Sequence, residues 1–144
     1  MKKKRQDCQK SGLSGELFVA AELLKRDFQV SLTLGTAKSI DLFAYGEESN
    51  KTFEIQVKTL RASNCYLLQI DNVIASHIYV FVLLHKPGKQ VEYFILRGQE
   101  ILNKEKILFG GGNGKQKMAG ITMTPLKAYK DRWNVFTDPA MAVH

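Results

Sequence analysis

The segment TFEIQVKT, residues 52–59, decides both the fold and the candidate site of this 144-residue chain. Every second residue from Phe53 to Val57 is apolar, and a period of two predicts a half-buried β-strand. The polar side chains of Glu54, Gln56 and Lys58 then share the opposite face of that strand, because successive strand residues point to alternate sides.

The preceding segment SIDLFAY, residues 39–45, alternates in the same way and is joined to the first by residues typical of a turn. The two segments are predicted to form an antiparallel hairpin. If Tyr45 and Thr52 close it, Asp41 lies directly across from Gln56, with Cβ atoms roughly 4.5–5.5 Å apart. This polar group is either a solvated strand face with a surface ion pair or part of a functional site.

A helix is predicted over residues 11–27, with Glu16 on its apolar side. The predicted apolar arc comprises Leu13, Leu17, Ala20, Leu23 and Leu24. A carboxylate inside such an arc must be paired, protonated or bound to a metal, because an unpaired buried charge is costly. Glu16 therefore pairs with a buried base, lies at the edge of the arc, or joins the polar group of the hairpin.

The rest of the chain predicts further strands at residues 29–33, 65–70, 77–84 and 91–96, and helices at residues 98–107 and 125–136. The run 77–84 is nearly all apolar, as expected of a strand buried on both faces. This order predicts an α/β (α+β) fold with a mixed central sheet flanked by helices. Residues 11–144 are expected to form one domain, preceded by a flexible basic arm at residues 1–10.

The composition narrows the classes of function that this chain can have. Lys and Arg number 21 against 14 Asp and Glu, a net charge of +7 that suits a polyanionic partner. The two cysteines lack disulfide or zinc spacing, and no apolar run is long enough to span a bilayer, so a cytoplasmic protein without a membrane partner is expected. Several basic residues are candidate phosphate contacts, and the alternative is that they are ordinary solvent-exposed cations. They are Lys2, Lys3, Lys4, Arg5, Lys38, Lys115 and Lys117.

Three runs together resemble a known family: GELFVAAELL at residues 15–24, SIDLFA at residues 39–44 and EIQVKT at residues 54–59. Their order, a helix with Glu, a strand with Asp and a partner strand with QxK, is similar to the PD-(D/E)XK nuclease superfamily. That superfamily includes many restriction enzymes and the archaeal-type Holliday junction resolvases. The resemblance covers residues 11–96 and implies a restriction-endonuclease-like core.

The resemblance also implies a chemistry, a Mg²⁺-dependent endonuclease acting on DNA, with Mn²⁺ as a substitute metal. Asp41 matches the metal-binding Asp, Gln56 the variable acidic position, Lys58 the catalytic Lys and Glu16 the helix Glu. Hard cations prefer oxygen ligands. The expected metal ligands are Asp41, Gln56 and the backbone carbonyl of Val57, with Glu16 and Glu54 as further candidates.

Two departures from the family pattern stand out. Ile40 occupies the position of the name-giving Pro, and Gln56 replaces an acidic residue, which removes one negative charge from the metal site. The alternatives are a nucleic-acid-binding module that has lost its chemistry and a protein-interaction domain. RNA is an alternative substrate, and a homodimer would be the simplest way to cut both strands of a duplex.

Overall fold

The computed structural model describes residues 2–34, 39–110 and 119–137. Its helices are α1 (Lys2–Lys25), α2 (Gly98–Asn103), α3 (Glu105–Leu108) and α4 (Met123–Leu126). Its strands are β1 (Gln29–Leu32), β2 (Leu42–Gly46), β3 (Lys51–Leu60), β4 (Tyr66–Leu67), β5 (Ile78–Leu83), β6 (Glu92–Arg97) and β7 (Gly120–Ile121). Short 3₁₀ turns span Ile70–Asn72, Lys127–Tyr129 and Trp133–Phe136.

The central sheet has five strands in the order β1-β2-β3-β5-β6, and β4 pairs with β7 in a separate two-stranded sheet. Strands β3 and β5 run parallel, while the other neighbours in the central sheet are antiparallel. The predicted mixed α/β class is therefore confirmed. Among the described helices, none combines the length and the apolar character that crossing a bilayer requires.

Strand β5 lies in the middle of the core and is buried along its whole length, as predicted. Ile78, Val80 and Val82 pack into a cluster that includes α1 and the C-terminal turn at Trp133–Phe136. Tyr79 and its alternating neighbours face a second cluster that contains residues of α2, α3 and α4. Both faces of the sheet are therefore covered along β5.

The N-terminal helix corrects two sequence predictions. It begins at Lys2 and not at Ser11, so the segment predicted as a flexible basic arm is helical from Lys2 onward. This is consistent with the high helix propensity of Lys, Arg and Gln. The predicted apolar arc is wrong at three of its five residues, because Leu13, Leu17 and Leu24 are 45%, 48% and 55% exposed, whereas Ala20 and Leu23 are buried as predicted. The side facing the sheet also carries Ser11, Gly15 and Val19.

Three other elements differ from the predicted ones. The strand expected at residues 65–70 is only Tyr66–Leu67, followed by a 3₁₀ turn. The helix expected at residues 98–107 splits into α2 and α3, because Lys104 leaves the helical conformation with φ −118° and ψ 29°.

The helix expected at residues 125–136 is absent, since α4 ends at Leu126 and 3₁₀ turns follow. Two backbone features interrupt it. Lys130 is extended and forms a β-bridge with Phe94. Asp131 has a φ of +53°, in the left-handed region that a right-handed helix does not continue.

Candidate active site

Asp41 lies directly before β2, at the open end of the β2–β3 hairpin. The hairpin register pairs Leu42 with Ile55, which sets Asp41 across from Gln56 as predicted. The Asp41 N–H donates to the Ile55 carbonyl over 2.9 Å, and the Asp41 carboxylate oxygen Oδ2 accepts the Val57 N–H over 2.7 Å. The side chain of Asp41 is therefore held against β3 by a main-chain donor.

The main-chain carbonyl of Asp41 turns the other way, toward β1. It accepts the N–H of Thr33 over 3.1 Å, and the Thr33 hydroxyl donates to the Ile40 carbonyl over 2.7 Å. These bonds fix the backbone of Asp41 from the side away from β3. The N–H, the carbonyl and the carboxylate of Asp41 are thus all hydrogen-bonded, and the carboxylate has a defined direction.

Glu16 reaches Asp41 because α1 approaches β3 very closely at the preceding residue. A Cβ added to Gly15 would come within 1.9 Å of the Thr59 hydroxyl oxygen, so only glycine permits this approach. Burial, the negative charge of Asp41 and a hydrogen bond with the Asp41 side chain together raise the pKa of Glu16 to about 7. The two carboxyl groups therefore form a coupled acidic pair.

Gln56 and Lys58 line an open cleft of about 560 Å³ together with Asp41. The opposite wall is formed by Leu67, Leu68, Gln69 and Asn72. No ion pair or hydrogen bond joins Lys58 to a side chain within the part of the chain that the structure describes, so its ammonium is available to a ligand in the cleft. Glu16 contacts Asp41 but does not line the cleft itself.

A second layer of side chains surrounds Gln56, which is 6% exposed. The Gln56 amide nitrogen Nε2 lies 3.0 Å from the Tyr79 hydroxyl and 3.0 Å from Nδ1 of His77. The other ring nitrogen of His77, Nε2, lies 2.6 Å from a carboxylate oxygen of Glu54. Glu54, expected as a further metal ligand, is therefore engaged by His77 in this structure.

His77 and Tyr79 were not among the residues that the sequence indicated for the site. They meet Gln56 because β3 and β5 are parallel neighbours, with Gln56 opposite Tyr79. Such a pairing joins residues far apart in the chain and leaves no local pattern. The one available signal was a histidine at the start of a fully apolar strand.

A similar His–Glu pair lies at the other end of β5. His85 Nε2 is 2.6 Å from a carboxylate oxygen of Glu92, and the Lys130 ammonium is 3.0 Å from the other oxygen. Hydrogen bonds from His85 and Lys130, together with their charges, lower the pKa of Glu92. This cluster is more exposed, with 31% of the His85 side chain accessible against 5% for His77.

The structure thus brings together Glu16, Asp41, Gln56 and Lys58, and adds His77 and Tyr79 behind Gln56. Of the predicted phosphate contacts, Lys38, Lys115 and Lys117 lie outside the described residues, and for Lys2–Arg5 only the helical backbone is described. Within residues 2–34, 39–110 and 119–137, no group of three or more His, Cys, Asp or Glu side chains is arranged to hold a metal ion. In comparisons with family models, curated proteins and solved structures, no match to this chain was found.

Proposed function

We propose that this protein is a metal-dependent endonuclease that hydrolyses phosphodiester bonds of DNA, built on a restriction-endonuclease-like core. One observation carries the proposal. A coupled pair of carboxyl groups, Glu16 and Asp41, lies beside a cleft that also receives the amide of Gln56 and the ammonium of Lys58, which has no ion-pair partner among the described residues. Acidic groups held together despite their mutual repulsion are typical of a site that binds a cation.

The donor set fits a hard divalent cation. All of the available groups are oxygens: the carboxylate of Asp41, the amide oxygen of Gln56, the backbone carbonyl of Val57 and the carboxylate of Glu16. Magnesium is usually held by one or two carboxylates, with water and substrate phosphate filling the other positions. The absence of a larger His, Cys, Asp and Glu cluster among the described residues is compatible with that sparse coordination.

A cation also suits the charge of the site. The pKa of Glu16 is raised to about 7 by burial and by the charge of Asp41, so both groups cannot ionise freely on their own. A divalent ion would favour the ionised form of both carboxyls. Mg²⁺, or Mn²⁺ in its place, would lower the pKa of a bound water and offset phosphate charge.

The protein's own groups have separate tasks in this proposal. Asp41 is the fixed acceptor, because the Val57 N–H and the strand backbone hold it in place. Lys58 donates hydrogen bonds to a non-bridging phosphate oxygen and orients the attacking water, a role that suits an ammonium with no other partner in the part of the chain that the structure describes. Leu67 and Asn72 on the facing wall restrict how a strand enters the cleft.

DNA is the proposed substrate because of charge and access. The chain carries a net charge of +7, and each phosphate neutralised by Lys or Arg releases condensed counterions. The cleft is open to solvent, as a polymeric substrate requires. Assembly as a homodimer is part of the same hypothesis, because one site cuts one strand at a time.

The test is a cleavage assay on labelled plasmid, linear duplex, single strand, four-way junction and RNA, with Mg²⁺, Mn²⁺ or EDTA. The informative variant is Asp41→Asn, which removes the charge and keeps an oxygen for the Val57 N–H. Its matched control is Glu48→Gln, an exposed carboxylate in the turn at the far end of the same hairpin. We expect cleavage that requires metal, a loss of about 100-fold or more in Asp41→Asn, and no change in Glu48→Gln.

Other outcomes point elsewhere. Salt-sensitive DNA binding without cleavage of any substrate would favour a binding module that has lost its chemistry. A protein that neither binds nor cleaves nucleic acid would favour a protein-interaction domain. Metal-dependent cleavage that persists in Asp41→Asn would place the active centre somewhere other than this cleft.

A further inference from the structure

The orientation of the Gln56 amide decides what the cleft can bind. An amide has a donor end, the nitrogen, and an acceptor end, the oxygen, and only the oxygen can ligate a hard cation. Gln56 is 6% exposed and lines the cleft, so its two ends meet different surroundings. The proposal below rests on the proposed function, since it explains how this side chain is prepared for a cation.

The ring of His77 determines which end faces the cleft. Its Nε2 atom lies 2.6 Å from a Glu54 carboxylate oxygen, and an ionised carboxylate can only accept a hydrogen bond. The proton of a neutral imidazole must then sit on Nε2, which leaves Nδ1 as an acceptor. Nδ1 lies 3.0 Å from the Gln56 side chain, so the amide presents its nitrogen to His77.

The second partner of the amide nitrogen is compatible with this orientation. The Tyr79 hydroxyl oxygen accepts the Ile74 N–H over 3.0 Å and lies 3.0 Å from Gln56 Nε2. Burial raises the pKa of Tyr79, which keeps the hydroxyl neutral. With its nitrogen held by Tyr79 and His77, the Gln56 amide leaves its oxygen for the cleft.

His77 is itself held by the main chain. Its N–H donates to the Ile74 carbonyl over 3.1 Å, and its carbonyl accepts the Gly98 N–H over 2.8 Å. A Cβ on Gly98 would come within 1.9 Å of the Ile74 carbonyl oxygen, so the first residue of α2 packs tightly on this loop. The backbone that carries the ring is therefore fixed, and the ring itself is buried, with 5% of the side chain exposed.

We propose that Glu54 and His77 are positioning residues, which together fix the Gln56 amide so that its oxygen faces the cleft. Glu54 determines the tautomer of His77, and that tautomer determines the orientation of the Gln56 amide. This accounts for the departure from an acidic residue at position 56. A carboxylate there would direct an acceptor at the lone pair of Nδ1, whereas an amide nitrogen donates to it.

The first test needs neither metal nor activity. Long-range ¹H–¹⁵N spectra of the histidine-labelled protein, in mildly alkaline buffer with EDTA, report which ring nitrogen carries the proton. His77→Asn assigns the signals. We expect His77 as the Nε2–H tautomer. A ring protonated on Nδ1, alone or together with Nε2, would overturn the proposal, because Gln56 would then turn its oxygen to His77.

The Gln56→Glu variant tests the contact directly. A carboxylate at position 56 only accepts, so we expect Nδ1 to gain a proton and His77 to become doubly protonated in the same spectra. His85, which has its own carboxylate partner and no contact with Gln56, is the internal control and should be unchanged. An unaltered His77 signal in Gln56→Glu would show that the two side chains do not interact.

The second test concerns cation binding. In His77→Leu we expect the Mn²⁺ dissociation constant from calorimetry, and the Mg²⁺ concentration for half-maximal cleavage, to rise about 10- to 100-fold. His77→Asn keeps an acceptor in place of Nδ1 and should recover most of this loss. His85→Leu is the matched control and should bind like the parent protein. Thermal unfolding of each variant separates a loss of fold from a loss of positioning.

Failures of the two proposals are distinguishable. A parent protein that neither binds Mn²⁺ nor cleaves DNA would contradict the proposed function, while the tautomer and the Gln56→Glu response still decide whether Gln56 is positioned as described. If the parent binds Mn²⁺ and His77→Leu binds it equally well, the positioning role is overturned and the proposed function stands.

Discussion

The two ends of β5 carry a similar pair of residues in opposite electrostatic settings. His77, just before the strand, and His85, just after it, each place Nε2 2.6 Å from a glutamate oxygen. At the His85 end, Glu92 also binds the Lys130 ammonium, and the pKa of Glu92 is lowered. At the His77 end, burial and the neighbouring charge of Asp41 raise the pKa of Glu16 to about 7.

The Glu92 carboxylate has a cationic partner in Lys130, whereas the Glu16–Asp41 pair has none among the described residues. The two oxygens of the Glu92 carboxylate are each engaged, one by His85 and the other by the Lys130 ammonium. The charge on Asp41 faces another carboxyl group, and the ammonium of Lys58 is not paired with it among the described residues. A surplus of acceptors beside an ammonium with no partner in the described ranges is consistent with the proposed binding of a phosphate and a metal.

The largest expected effect is on the cleavage rate, when Lys58 in the cleft and Lys130 in the Glu92 cluster are each replaced by Met. Lys58→Met should lower the rate of DNA cleavage at saturating substrate by at least about 100-fold, because the ammonium proposed to orient water and phosphate is lost. Lys130→Met removes the same charge at the other end of β5 and should leave that rate within about twofold. Steady-state cleavage rates check this, with circular dichroism to confirm folding; equal losses in both variants would mean that Lys58 acts only through net charge.

A smaller effect, on the free energy of unfolding, is expected when the close packing of α1 that places Glu16 beside Asp41 is disturbed. Gly15→Ala places a methyl group against Thr59 and should lower the free energy of unfolding by about 1–3 kcal/mol, with a parallel loss of cleavage. Gly12→Ala is the matched control in the same helix, since its Cβ meets no atom within 4 Å. That change should raise the free energy of unfolding by about 0.5–1 kcal/mol.

Urea unfolding of the two variants gives both values. The prediction concerns a difference in sign between neighbouring positions on one helix. If Gly15→Ala were stabilising as well, α1 could not lie as close to β3 as the structure has it.

The smallest expected effect is the pH dependence of stability, measured in EDTA. Between its unfolded pKa of 4.5 and its folded pKa of about 7, Glu16 keeps its proton only in the folded state. The free energy of unfolding should therefore fall as pH rises through this window, by on the order of 1 kcal/mol after screening at a partly exposed group.

Glu92 should act in the opposite direction. Its folded pKa lies below the ordinary value of 4.5, so its contribution to stability is present above that pH and is lost as pH falls through the folded pKa. Glu16→Gln should flatten the first slope and Glu92→Gln the second, as thermal unfolding across the pH range would report. A Glu16→Gln protein that keeps the first slope would show that another group causes it.

The sequence predicted the parts of the site that depend on local pattern. The shared strand face of Gln56 and Lys58, with Asp41 across from Gln56, follows from a two-residue period and turn chemistry, and the hairpin register was confirmed at Tyr45 and Thr52. The roles of these residues come from the family resemblance and stay a prediction. The face of α1 was not predictable in this way. Large apolar residues such as Leu13 remain exposed, and the helix turns its small residues to the sheet because Gly15 allows close approach.

The remaining differences have nonlocal causes. His77 joins the site through a parallel strand pairing between residues far apart in the chain. The last predicted helix fails because Lys130 pairs with Phe94 of β6 and Asp131 adopts a left-handed backbone. In each case a tertiary contact outweighs the propensity that the local sequence expresses.

The bond from the Val57 N–H to the Asp41 carboxylate has a consequence for how this chain would evolve. The side chain of Asp41 completes the hydrogen bonding at the end of the β2–β3 ladder, so selection for folding alone favours an acceptor at this position. A lineage that had abandoned catalysis would retain Asp41 for that reason, while Lys58, with no structural partner among the described residues, would drift. In a comparison of relatives, Lys58 and not Asp41 is the position that would report whether the proposed chemistry has been kept.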